Sequence, residues 1–254
     1  MYMALPSSTP AEDGEPRGET YGAVILAAED LADRDVREVL RGIRFTGWMA
    51  PPQDGRIVIL GDPGDGVIAD GRRGVIEVGG LLAAEARGRV LAVRVRQDRQ
   101  LGIVAWRHGE ELGRYCSDPS REPTADDDVL AAPFGVEIAE GLAELSDRAD
   151  AAEQLTELLE EELDPESVYE SERLRSVLRL LGLPTWIVAA GALPHDIPTG
   201  PKAAELTRLR GGATGISSVA VGRALRAVRR RQHPPAVIAD PPKGGGARFE
   251  EWMF

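Results

Sequence analysis

One cysteine, Cys116, in a chain of 254 residues excludes an internal disulfide and fits a reducing compartment. With no Cys/His signature around it, the residue is read as a small buried apolar side chain rather than a reactive thiol. Histidine is almost as scarce. His108, His195 and His233 lie far apart and, with a single cysteine, match none of the usual zinc-ligand spacings, so no metal or other cofactor is expected. Lysine stands only at 202 and 243, which leaves nearly all positive charge to arginine; with abundant Ala, Gly and Pro this reads as the coding bias of a GC-rich bacterial genome. The longest stretches free of charge run from Leu180 to His195 and from Gly211 to Gly222, and prolines interrupt the first. Neither offers the roughly 18 apolar residues of a membrane span. The opening "MYMALPSSTPAEDGEPRGET" has no basic region followed by an apolar core, so it is no secretory signal and the expected location is the cytoplasm.

What the chain does have is enough apolar residues for a core, 43%, and an uneven distribution of charge. The net charge is −12, but residues 125 to 172 hold seventeen acids against one base, Arg148, while 202 to 231 hold eight bases against one acid, Glu205. An acidic surface repels phosphate, so nucleic acid could be held only by the basic tail.

Hydrophobic periodicity places the elements. "YGAVILAA" from Tyr21 is a buried strand. Asp33 precedes Val36, Val39, Leu40 and Ile43, one face of a helix, and "RIVIL" at 56 to 60 is a strand between turn sequences. Residues 72 to 87 admit one helix weakened by Gly79 and Gly80, or a strand over 75 to 78 and a short helix. Strands from Val90 and from Leu101 flank the turn "QDRQ", and "HGEE" leads into a further strand, "LGRYC". A faint echo between 36–60 and 78–106 suggests an internal duplication. Beyond "SDPSREPTADDD" the period turns helical: Val136, Ala139, Leu142 and Leu145; then Leu155, Leu158, Leu159 and Leu163; then Leu174, Val177, Leu178 and Leu181, closed by Gly182, Leu183 and Pro184.

Few residues offer chemistry. His195 and Asp196 are adjacent in "LPHDIPTGP", but neighbours in an extended segment point apart and no G-x-S-x-G elbow accompanies them, so a rigid connector anchored by Trp186, Ile187 and Val188 is expected. "GDPGDG" at 61 to 66 lacks the G-K-[ST] of a nucleotide loop. Its plain reading is a turn, and its chemical reading a divalent ion on Asp62, Asp65 and Asp70. Trp106 and His108 fall on one face if their strand runs that far; Trp106 is expected in the core. In the tail Val221, Leu225 and Val228 share one helical face and Arg223, Arg226 and Arg230 the other, an amphipathic basic helix, and the chain closes on Phe249, Trp252 and Phe254.

The expected fold is of the α/β class, α+β type: a leader over 1–20, a mixed α/β sheet domain over 21–118, an acidic linker over 119–132, a helical region over 133–210 and a basic, partly disordered tail over 211–254. The expected function is that of a non-catalytic interaction or regulatory protein, self-associating or bound to another protein through its acidic helices and tail. Partner-binding residues are then Arg223, Arg226, Arg230, Trp252 and Phe254. The alternatives are a metal-assisted hydrolase using the carboxylates at 62–70 and nucleic-acid binding through the tail.

Overall fold

The computed structural model describes residues 18–27, 33–86, 88–122, 125–126, 128–162 and 170–211. Two runs that are apolar on both faces make its centre: β1 (Tyr21–Ala27) and β4 (Arg89–Arg96). Side chains alternate across a strand, so an unbroken apolar run needs cover on both sides of the sheet. Both sides are covered. Tyr21, Ala23 and Ile25 enter one core with Leu91, Val93 and Val95, whereas Val24 and Leu26 enter the other with Val90 and Ala92.

The remaining strands are β2 (Thr46–Met49), β3 (Arg56–Gly61), β5 (Gln100–Arg107), β6 (Glu110–Cys116) and β7 (Thr207–Arg210). Together they form one seven-stranded antiparallel sheet in the order β6-β5-β4-β1-β3-β2-β7, giving an α+β fold. α1 (Asp33–Gly42) and α2 (Val75–Ala86) cover one face. α3 (Ile138–Leu145), α4 (Ala152–Glu160), α5 (Glu170–Leu180) and a 3-10 segment at Thr185–Ala192 cover the other. Sheet and helices belong to one compact unit, ending at Ala213. Among the described residues no helix is long and apolar enough to cross a membrane.

Residues 75–86 are a single helix, resolving the ambiguity in favour of α2, and Gly79 is where it meets the sheet. A Cβ there would lie 2.9 Å from the Ala92 Cβ and 3.1 Å from the Trp106 ring. The echoed segments are both helix-then-hairpin units, set on opposite sides of β1: the first joins it through its second strand, β3, and the other through its first, β4.

β7 departs from the expectation of a helical region running to residue 210. Its four residues, Thr-Arg-Leu-Arg, are too few to show a period, and only β2 tells them which conformation to take. Arg208 faces its cross-strand partner Trp48 with the guanidinium 4.5 Å from the ring centroid, a cation–π contact, and Arg208 and Arg210 keep charge on an edge strand.

The end of α5 is set locally, as the sequence indicates. Gly182 takes φ +62°, its N–H donates to Arg179 O, and the Leu183 N–H donates to Leu178 O, the paired bonds of a Schellman cap. Substituting Gly182 with alanine is expected to cost about 1–2 kcal/mol, since an L side chain is strained in that region. Urea denaturation checks it, and an unchanged midpoint would count against the cap.

The start of α5 is set from a distance. Asp98, in the β4–β5 turn, accepts the Glu170 N–H through its main-chain oxygen at 3.2 Å and the Ser171 N–H through Oδ1 at 2.6 Å. It thereby satisfies two of the donors a helix leaves free at its N-terminus.

Candidate functional site

The aspartates that the divalent-ion alternative would use are each held by an arginine. Asp65 receives Arg96 Nε at 2.9 Å and Nη2 at 3.2 Å in a two-pronged ion pair; Asp62 receives Arg208 Nη2 at 3.0 Å; Asp70 lies 3.8 Å from Arg44 Nε. Three different arginines hold the three carboxylates, and among the described residues no group of three or more His, Cys, Asp or Glu side chains is placed to hold a metal ion. The loop at 61–66 is fastened to the sheet by these pairs.

His195 is exposed, and Asp196 accepts the Ala203 N–H at 2.8 Å. Trp186, Ile187 and Val188 beneath them are buried, so the segment is an anchored connector. Burial raises the Cys116 thiol above its ordinary pKa, which disfavours the reactive thiolate, and outweighs the opposing effect of the Gln100 Nε2 donor 3.5 Å from the sulfur. Trp106 is buried against α2, while His108 is exposed in the β5–β6 turn at φ +53°. Arg223, Arg226, Arg230, Trp252 and Phe254 lie outside the described residues.

A surface the sequence pattern does not single out stands at the β6 edge of the sheet. β6 pairs with β5 on one side; on the other, Phe134 exchanges main-chain hydrogen bonds with Cys116, at 2.9 and 3.0 Å, and lies beside the strand's end. On β6 and on the segment 129–134 that returns to its end, four large apolar side chains face solvent: Leu130 at 76% and Phe134 at 56% exposure, with Leu112 and Val129 less open. A Cβ added at Gly141 on α3 would lie 3.7 Å from the Leu112 Cβ, so Leu112 sits close to that helix. The signal was "VLAAPF", an apolar run inside what otherwise reads as an acidic linker.

Beyond this edge the surface is acidic. Glu137, Glu140, Glu153, Glu157 and Glu160 are exposed and make no ion pair among the described residues. By contrast, Glu144, Asp147 and Asp150 are paired with Arg107, Arg89 and Arg148. On β6, Arg114 and Glu111 satisfy each other through two bonds of 2.8 and 2.9 Å. An exposed apolar strip bordered by unneutralised carboxylates can desolvate apolar side chains of a partner and attract positive charge at once.

No family model, curated protein or solved structure matches this chain in the corresponding comparisons.

Proposed function

We propose that this protein is a non-catalytic interaction module whose acidic helical face docks a basic protein segment carrying apolar side chains. The observation that carries the reading is the exposure of Leu112 on β6 and of Leu130 and Phe134 on the segment that returns to its end, with the unpaired glutamates Glu137 and Glu140 following in the chain. Apolar contact supplies affinity and the carboxylates supply selection for a basic partner, with a pull that falls off over a screening length of about 8 Å at physiological salt. The chain's own sequence contains a segment of that chemistry: Arg223, Arg226 and Arg230 alternate with Val221, Leu225 and Val228. These arginines, together with Trp252 and Phe254, are the proposed partner-binding residues of the tail.

The test is a titration of the full chain into a labelled synthetic peptide with the sequence of residues 219–232. Binding is expected to weaken as salt rises, and to weaken at least tenfold in Leu130→Asp and in Phe134→Asp, with a smaller loss in Glu140→Gln. Both apolar positions are exposed, so the variants keep the core. Equal affinity for wild type and the two aspartate variants, or no binding at low salt, removes the proposal.

A further inference from the structure

A second feature lies away from that surface, between the sheet and the helical layer. In the sheet register Ala27, at the end of β1, stands opposite Arg56 on β3 and Arg89 on β4, so the three residues form one row. One row further in, Ile25 stands opposite Leu91. Residues paired across strands project from the same face, and this face is the one α3 and α5 cover. The row therefore has a methyl group at its middle and an arginine on each side, and no described residue fills the space above the alanine.

A cavity of about 280 Å³ occupies that space. Ile25, Leu91, Leu145 and Leu183 line it together with the two arginines. Both guanidinium groups are held in place by main-chain oxygens. Arg89 Nη1 donates to Leu145 O at 2.9 Å and to Asp147 Oδ2 at 2.6 Å; Arg56 Nη1 donates to Gly182 O at 2.9 Å. They differ in what remains. Asp147 pairs directly with Arg89 and also feels the charge of Arg56, whereas Arg56 makes no direct ion pair among the described residues and keeps Nε and Nη2 for another acceptor. Asp54, also on the rim, discourages a ligand carrying several negative charges.

We infer that this cavity binds a small monocarboxylate with an apolar body, its carboxylate on Arg56 and its body over Ile25 and Leu91. An oriented guanidinium with donors to spare beside apolar side chains is the arrangement that a planar anion with a greasy tail satisfies, because the fork of N–H donors matches a carboxylate. The space is partly open to solvent, and its volume gives the scale of the ligand. At about 30 Å³ per water-sized group, the chamber takes roughly nine non-hydrogen atoms, the scale of hexanoate or benzoate.

Calorimetric titration of the full chain with hexanoate, benzoate, hexanol and acetate separates the contributions. Hexanoate or benzoate is expected to bind at least tenfold more tightly than hexanol, which lacks the charge, and than acetate, which lacks the body. Arg56→Gln should lower the affinity at least tenfold while leaving the hexanol value unchanged. Ala27→Leu, which fills the chamber and spares both arginines, should abolish binding, with a retained cooperative melt showing that the protein is folded. Absence of binding by both six- and seven-carbon acids at millimolar concentration, equal affinity for hexanol, or indifference to Arg56→Gln would each overturn the inference. None of these results bears on the β6 edge, which none of the probes or substitutions touches.

Discussion

Replacing Arg173 with methionine is expected to destabilise the fold by about 3–5 kcal/mol, the usual consequence of deleting one partner of a buried ion pair. Arg173 on α5 is 4% exposed and Glu170, one turn earlier, 3%. The Arg173 Nη1 group donates to the Tyr115 hydroxyl on β6 at 2.5 Å, Nη2 donates to Glu161 O, and Nε lies 3.6 Å from Glu170 Oε2. Tyr115 in turn donates to Leu159 O at 3.1 Å, so one guanidinium ties α5 to the sheet and to the end of α4. Removing it strands a buried carboxylate and leaves the Glu161 oxygen without that donor.

The pH dependence follows in sign. Burial raises the Glu170 carboxyl above the ordinary glutamate range, with Arg173 opposing it. A folded-state pKa above the unfolded one means that the group's contribution is present in full below about pH 4.3 and is lost as pH rises from there through the folded value. Without Arg173 the rise grows, so the destabilisation of Arg173→Met should be larger at pH 8 than at pH 5. Urea denaturation of wild type, Arg173→Met and Glu170→Leu/Arg173→Met at the two pH values measures this, the double variant recovering part of the loss by removing the stranded charge. A single variant within 1 kcal/mol of wild type at pH 8 would show that Glu170 is not stranded by the loss of Arg173.

The second large effect is on the opposite face. Truncating Trp106 to alanine is expected to cost about 3–5 kcal/mol, the range for a buried aromatic whose cavity cannot collapse. The Trp106 ring is the surface on which α2 rests at Gly79 and Gly80. Gly79→Leu should also destabilise, by about 1–3 kcal/mol, because the obstacles to its side chain are the Trp106 ring and a β-carbon fixed to strand β4. Both variants act on one contact and should therefore not add. In the Trp106→Ala background the leucine loses one of its two obstacles and gains a hole to fill, so its cost should shrink, though not vanish while Ala92 remains. Guanidinium denaturation of the four-member cycle reads the coupling; strictly additive losses would mean that α2 and Trp106 do not meet as described.

Periodicity was enough for the elements that bury one regular stripe. Leu174, Val177, Leu178 and Leu181 are all buried on α5, and the Gly182–Leu183 cap forms where a glycine and an apolar residue follow such a stripe. The hairpin at 97–99 was readable for the same local reason: Gln97 and Asp98 take positive φ between two apolar strands. α2 was ambiguous because its sequence is apolar nearly all round, and two adjacent glycines argue against a helix unless the close approach to Trp106 is known. The exposed strip at 129–134 was hidden because an apolar run says only that side chains avoid water, not whether a neighbour covers them.

By itself, then, the sequence determined β1, α1, β3, the β4–β5 hairpin and the apolar stripe of α5, the stop at Gly182 and the concentration of acid between residues 125 and 172, since backbone preference, side-chain period and formal charge act between near neighbours. Tertiary structure alone decided that β7 joins β2, that Asp62, Asp65 and Asp70 each meet a separate arginine, that Asp98 caps α5 and that Ala27 lies between Arg56 and Arg89. Each of these pairs residues that are distant in the chain or on different strands, and charge finds its partner in space rather than in sequence.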